Sequence, residues 1–163
     1  MAVGQTVSLL FESKETMMVI AVGSDHAGYE GDVPYKPEIA KHILSLGHQV
    51  LDCGTNGPDS VDYPDYAQEV SRAVLGGSAD YGVLMCGTGI GMSIAANRNP
   101  GIRAATCATP EMARLAREHN DANVLCIGRR ILSLEQCIEL VDVFISTPFS
   151  EGERHKRRVA KMG

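Results

Sequence analysis

The sequence predicts an α/β fold, a Rossmann-like three-layer αβα sandwich around a five-stranded parallel sheet. Three observations predict it. Short apolar runs alternate with amphipathic helical stripes along the chain. Those runs are nearly continuous in apolar residues, as expected of strands covered on both faces rather than one. Parallel strands joined by right-handed crossovers then place helices on both sides of the sheet.

The strand candidates are residues 18–23, 49–53, 81–86, 102–107 and 124–127. After the first, Ile39, Ala40, Ile43 and Leu44 form a helical stripe, opened by Pro37 at an N1-like position. Tyr66, Ala67, Val70, Ala73 and Val74 form a second stripe, which Gly76-Gly77 ends. A short helical run over residues 90–96 follows the third strand. Thr109-Pro110-Glu111 opens a helix carrying Met112, Leu115 and Ala116. Ser133 and Gln136 form a capping box ahead of Leu134, Cys137, Ile138, Val141 and Ile145. A strongly basic helix over residues 153–161 completes the pattern.

At 163 residues the chain has the length of one well-cored domain. Residues 18–163 read as that domain. Residues 1–17 read as a flexible N-terminal extension, with two glutamates, no arginine and one apolar patch at 7–11. That composition matches neither a secretory signal nor a transit peptide. A net charge of −5 disfavours nucleic acid or an acidic membrane surface as partner. No apolar stretch approaches the roughly 18 residues that would span a bilayer. The five cysteines (53, 86, 107, 126, 137) are widely spaced, without Cys-x-x-Cys, and read as reduced thiols with no zinc site. The expected location is the cytoplasm.

The chemistry concentrates in Met85-Cys86-Gly87-Thr88-Gly89-Ile90-Gly91. A cysteine closes a buried strand, and a glycine-spaced turn leads at once into a helix. Gly87, Gly89 and Gly91 let main-chain N–H groups turn inward, and a helix start adds more of them. Such a place suits an anion: a phosphate, an oxyanion or the thiolate itself. Cys86 is thus a candidate nucleophile or base. Thr88 is a candidate oxyanion donor, or simply a cap for the helix from Ile90.

Ligands of such sheets bind beyond the C-terminal strand ends, where strand order reverses. Asp25-His26 follows the first strand and would face the Cys86 turn if that reversal falls between strands one and three. His119-Asn120-Asp121 ends the fourth helix. Arg154 and Arg158 share one helical face in a tail holding five of the fifteen basic residues. Forked guanidinium donors suit a phosphate, and a tail reaching another subunit would bring them to a distant site.

Ser24-Asp25-His26-Ala27-Gly28, Asp62-Tyr63-Pro64, Cys86 to Gly91, Gly101-Ile102-Arg103-Ala104, His119-Asn120-Asp121 and Glu151 to Arg158 occur in order. On these motifs residues 18–161 resemble the RpiB/LacA/LacB family of sugar-phosphate isomerases. The resemblance implies an aldose–ketose isomerase that interconverts ribose 5-phosphate and ribulose 5-phosphate through an enediolate. It implies homodimers, or tetramers of dimers, with shared sites and no metal or other cofactor. Cys86 then matches the base, Thr88 and the N–H groups of Gly87, Gly89, Ile90 and Gly91 the oxyanion hole, and His119 the ring-opening group. Asp25, His26, Tyr63 and Asn120 match sugar contacts; Arg130, Arg154 and Arg158 match phosphate-side contacts. Residues 29–37 exceed the family's usual length beside the substrate edge, and the first seventeen residues have no family counterpart.

Other readings follow from the same residues. A six-carbon substrate, allose 6-phosphate or galactose 6-phosphate, is the alternative within the family. A nicotinamide dehydrogenase would want G-x-G-x-x-G, which the glycine spacing here does not provide. A cysteine phosphatase would want an arginine six positions after Cys86, where Met92 stands. A non-catalytic sugar-phosphate sensor needs the same residues, and only turnover separates it.

Overall fold

A computed structural model describes residues 16–163. The expectation for the N-terminal extension therefore lies, up to residue 15, outside the described residues. The strands are β1 (Val19–Ser24), β2 (Gln49–Asp52), β3 (Tyr81–Cys86), β4 (Ala104–Thr106) and β5 (Val124–Gly128). They form one sheet in the order β2-β1-β3-β5-β4, with every pairing parallel. The chain leaves β1 for β2 on one side and returns to β3 on the other, so strand order reverses between β1 and β3.

The helices are α1 (Tyr35–Ser45), α2 (Tyr63–Leu75), α3 (Ile90–Ala96), α4 (Pro110–Asn120), α5 (Leu134–Ser146) and α6 (Glu153–Ala160). A 3₁₀ turn, His26–Tyr29, follows β1. Alternation along the strands divides the core into two layers. Ile20, Val22, Val83, Met85, Leu125 and Ile127 face α1, α4 and α5, meeting Ile39, Ile43, Ala113, Leu140 and Phe144. Ala21, Leu84, Cys86, Val124 and Cys126 face α2 and α3, meeting Ala67, Val70, Met92 and Ala96. Burying one such large side chain stabilises the fold by about 1.5–3 kcal/mol.

The caps follow local chemistry. Thr109 Oγ1 accepts the Met112 N–H, and Ser133 and Gln136 satisfy each other's main chain in a full capping box. Two boundaries differ from the sequence reading by more than one residue. Helix α1 begins at Tyr35, so Pro37 stands at its third position, where a missing N–H still costs no intrahelical bond. Strand β4 is shorter than residues 102–107, because the N–H groups of Ile102 and Arg103 bond Asn99 and the Asn123 side chain instead of a neighbouring strand.

Candidate active site

The C-terminal ends of β1 and β3, at the switch point, open into a cleft of about 460 Å³. Asp25, Tyr63, Cys86, Gly87, Thr88, Ile90, Gly91, Ile94 and Arg130 line it. Cys86 is the last residue of β3, and it lines the cleft although the residue is only 5% exposed. The Gly89 N–H donates to Cys86 Sγ at 3.1 Å. That donor is available because Gly89 is left-handed (φ 81°), folding the turn back on the sulfur, and a Cβ there would stand 3.0 Å from the Ile127 carbonyl carbon.

The other cysteines lack this setting. Burial pushes the thiols of Cys107 and Cys137 up to about 11, raises Cys126 far above its ordinary range, and raises Cys53 as well. Thr88 Oγ1 accepts the Ile90 N–H at 3.3 Å. The hydroxyl thus helps start α3 while its own proton stays free to donate. Gly91 lies in the first turn of α3, whose N–H groups have no acceptor within the helix. It also lets the Tyr63 ring approach: a Cβ on Gly91 would lie 2.7 Å from that ring.

Asp25 is buried beneath the cleft and accepts the Ala27 N–H at 2.9 Å. His26 opens the 3₁₀ turn beside it, and its Nδ1 accepts the Val61 N–H at 3.3 Å. Neutral His26 therefore carries its proton on Nε2. Buried Lys36 steadies the loop after β2 by donating to Asp52, the Thr55 carbonyl and Asn56 at 2.5, 2.9 and 3.0 Å. The Arg130 N–H bonds the Gly87 carbonyl at 2.9 Å, and its side chain arches over Gly87.

His119, Asn120, Arg154 and Arg158 are not on this cleft. Helix α4 starts after β4 at the C-terminal edge of the sheet and ends before β5 begins, so His119 sits at the opposite edge. There its imidazole stacks on His155 of α6, with ring centroids 4.3 Å apart and planes 11° from parallel. Arg154 Nε donates to His155 Nε2 at 3.3 Å. Arg154 and Arg158 are exposed and make no ion pair among the described residues. Asn120 lines a separate hollow of about 400 Å³ with Arg103 and Met162. Within one chain the thiol and the His119 cluster are at two ends of the molecule.

Three residues on these surfaces escaped the sequence reading: Ile94, Glu30 and His155. Ile94 is one helical turn from Ile90 and was accessible from spacing alone. Glu30 reaches Arg130 across one hundred positions, and His155 lay hidden in a run read as basic.

The ribose/galactose isomerase family model matches residues 20–162. The chain belongs to the ribose/galactose isomerase family. Ribose-5-phosphate isomerase B of Escherichia coli (strain K12) is 46% identical over 143 residues, covering 88% of this chain and 93% of that one. The crystal structure of a ribose 5-phosphate isomerase from Thermotoga maritima is 50% identical with a TM-score of 0.84, covering 89% and 97%. The type B ribose 5-phosphate isomerase of Trypanosoma brucei is 42% identical with a TM-score of 0.85, covering 90% and 97%. Family membership places an isomerase fold around the cleft and gives no support to a dehydrogenase or a phosphatase.

Proposed function

We propose that this chain interconverts ribose 5-phosphate and ribulose 5-phosphate through an enediolate, with Cys86 as the base. The observation that carries the reading is the Gly89 N–H on Cys86 Sγ, on a cleft at the strand-order switch of an isomerase-family fold. The Cys86 thiolate takes the C2 proton of the open-chain aldose. The C–H electrons form the C1–C2 double bond, and the negative charge moves to O1. The Thr88 hydroxyl and the turn N–H groups would hold that charge. A proton then passes from O2 to O1 as the thiol returns its own to C1, giving the ketose.

A cleft holding the base but not His119, Arg154 and Arg158 supports a site shared between copies. A second chain would bring the imidazole for ring opening and two exposed guanidinium groups for phosphate. Exposed Ile90, Ile94 and Tyr63 beside the cleft are the apolar rim that such a copy would cover. We read the working unit as a homodimer or a tetramer of dimers, in the cytoplasm, with no cofactor.

The test is a coupled assay of the purified chain on ribose 5-phosphate, allose 6-phosphate and galactose 6-phosphate. Ribose 5-phosphate is expected to turn over best. Cys86→Ala should lower turnover by at least about 10²–10⁴, the usual worth of a general base, while calorimetry still detects sugar-phosphate binding. Undiminished turnover in that variant removes Cys86 from the role.

A further inference from the structure

Arg130 projects onto the cleft from the turn after β5, on a long side chain that is more than half exposed. A free arginine there would sweep many rotamers, yet this one is held. Glu30 accepts Arg130 Nε at 3.1 Å and Nη2 at 2.5 Å, a two-point grip on one edge of the guanidinium. The opposite corner, Nη1, is left for the cleft, 2.9 Å from where a Cβ on Gly87 would lie.

Glu30 is itself fixed. Its carbonyl accepts Arg129 Nη2 at 2.8 Å, and the Arg129 guanidinium lies 3.7 Å above the Tyr35 ring. Gly31 follows in the left-handed region (φ 75°), where a Cβ would stand 2.8 Å from Arg129 Nη2. Two consecutive arginines therefore grip one glutamate, one through its side chain and one through its main chain. The Arg130 hydrogen bonds hold the Glu30 carboxyl below its ordinary range, so the grip is ionic at neutral pH.

We propose that Glu30 is a positioning residue for Arg130, latching residues 29–37 to the turn after β5 so that Nη1 faces the phosphate-bearing ligand. The ligand's identity rests on the isomerase reading; the coupling itself does not. A guanidinium already ordered by Glu30 loses less rotamer freedom when ligand binds, which lowers KM without touching the proton transfer.

The experiment is a double-mutant cycle on the full chain with Glu30→Ala, Arg130→Ala and both together. It is read by KM and kcat, and by calorimetric binding of ribose 5-phosphate and of inorganic phosphate as probe. Glu30→Ala should raise KM and weaken binding about three- to tenfold, with kcat within about twofold. Arg130→Ala should weaken binding at least as much, and Glu30→Ala should then add nothing. Glu30→Asp, which keeps the charge, should recover part of the loss, and thermal melts verify that each variant is folded. Unchanged or tighter binding in Glu30→Ala, or an undiminished effect without Arg130, overturns the proposal. Absence of turnover in the unaltered chain sinks the isomerase reading alone, since the binding cycle still returns one answer or the other.

Discussion

The His119 and His155 imidazoles lie face to face, 4.3 Å between centroids, with Arg154 and Arg158 on the same helix as His155. Protonating His155 would set a cation against its stacked neighbour and beside two guanidinium groups. Desolvation first, then His119 and the two arginines, hold its pKa below the ordinary histidine value. The folded state therefore binds this proton less readily than the unfolded chain. The associated stability is fully present above about pH 6.5, the unperturbed value, and drains away as pH falls through the depressed folded-state value. Denaturant melts from pH 7.5 to 5 should show that loss. His155→Phe, which keeps a stacking ring without the proton, should flatten it, and an equal loss in that variant removes His155 as its source.

His119→Asn is expected to slow furanose turnover more than turnover of the open-chain sugar; equal losses on both contradict a ring-opening role. If sites are shared between copies, that variant and Cys86→Ala damage different halves of the same site. Mixing the two impaired proteins under subunit exchange should regenerate about a quarter of unaltered furanose turnover, because half the dimers are mixed and each holds one intact site. No recovery, with exchange verified by mass, would leave each chain working on its own residues.

Alkylation at pH 8 offers a test of the thiol. Cys107 and Cys137, at about 11, hold roughly one part in a thousand as thiolate at that pH, and burial raises Cys126 as well. Iodoacetamide should label Cys86 first by peptide mass mapping, with loss of activity in step. Saturating sugar phosphate should slow the labelling. Faster modification of Cys53, without loss of activity, counts against a reactive sulfur on the cleft.

Gly89→Ala forces a side chain into a left-handed backbone against the Ile127 main chain, so stability should fall by about 1–3 kcal/mol. The turn must shift to relieve it, taking the donor away from Cys86 Sγ. Gly47→Ala is the control: φ is 87°, nothing lies within 4 Å, and the cleft is distant. It should cost stability through the same backbone strain and leave kcat unchanged. Equal kcat in both variants would show that the Gly89 contact does not matter to turnover.

The layered fold was legible because each strand is an unbroken apolar run and each helix carries its own stripe and cap. Ser133 with Gln136, and Thr109 before Pro110, fall where short-range chemistry puts them. The pairing of Asp25 with the Cys86 turn was legible for a topological reason, since strand order reverses between β1 and β3. What spacing could not reveal is long-range. Nothing local to Glu30 names Arg130 as its partner, and nothing in His155-Lys156-Arg157-Arg158 shows that the histidine turns inward while its neighbours stay exposed. The separation of His119 from Cys86 is equally non-local, following from the direction in which α4 runs between β4 and β5.

That separation has a kinetic corollary. A solitary copy owns the sulfur at one pole and the imidazole pair at the other, with no way to bring them together without unfolding. If the two poles meet only between copies, catalytic output ceases to be proportional to the amount of protein. It should fall off with the square of concentration once dilution parts the copies, and only a copy damaged at both poles would silence both sites of the sound one it pairs with.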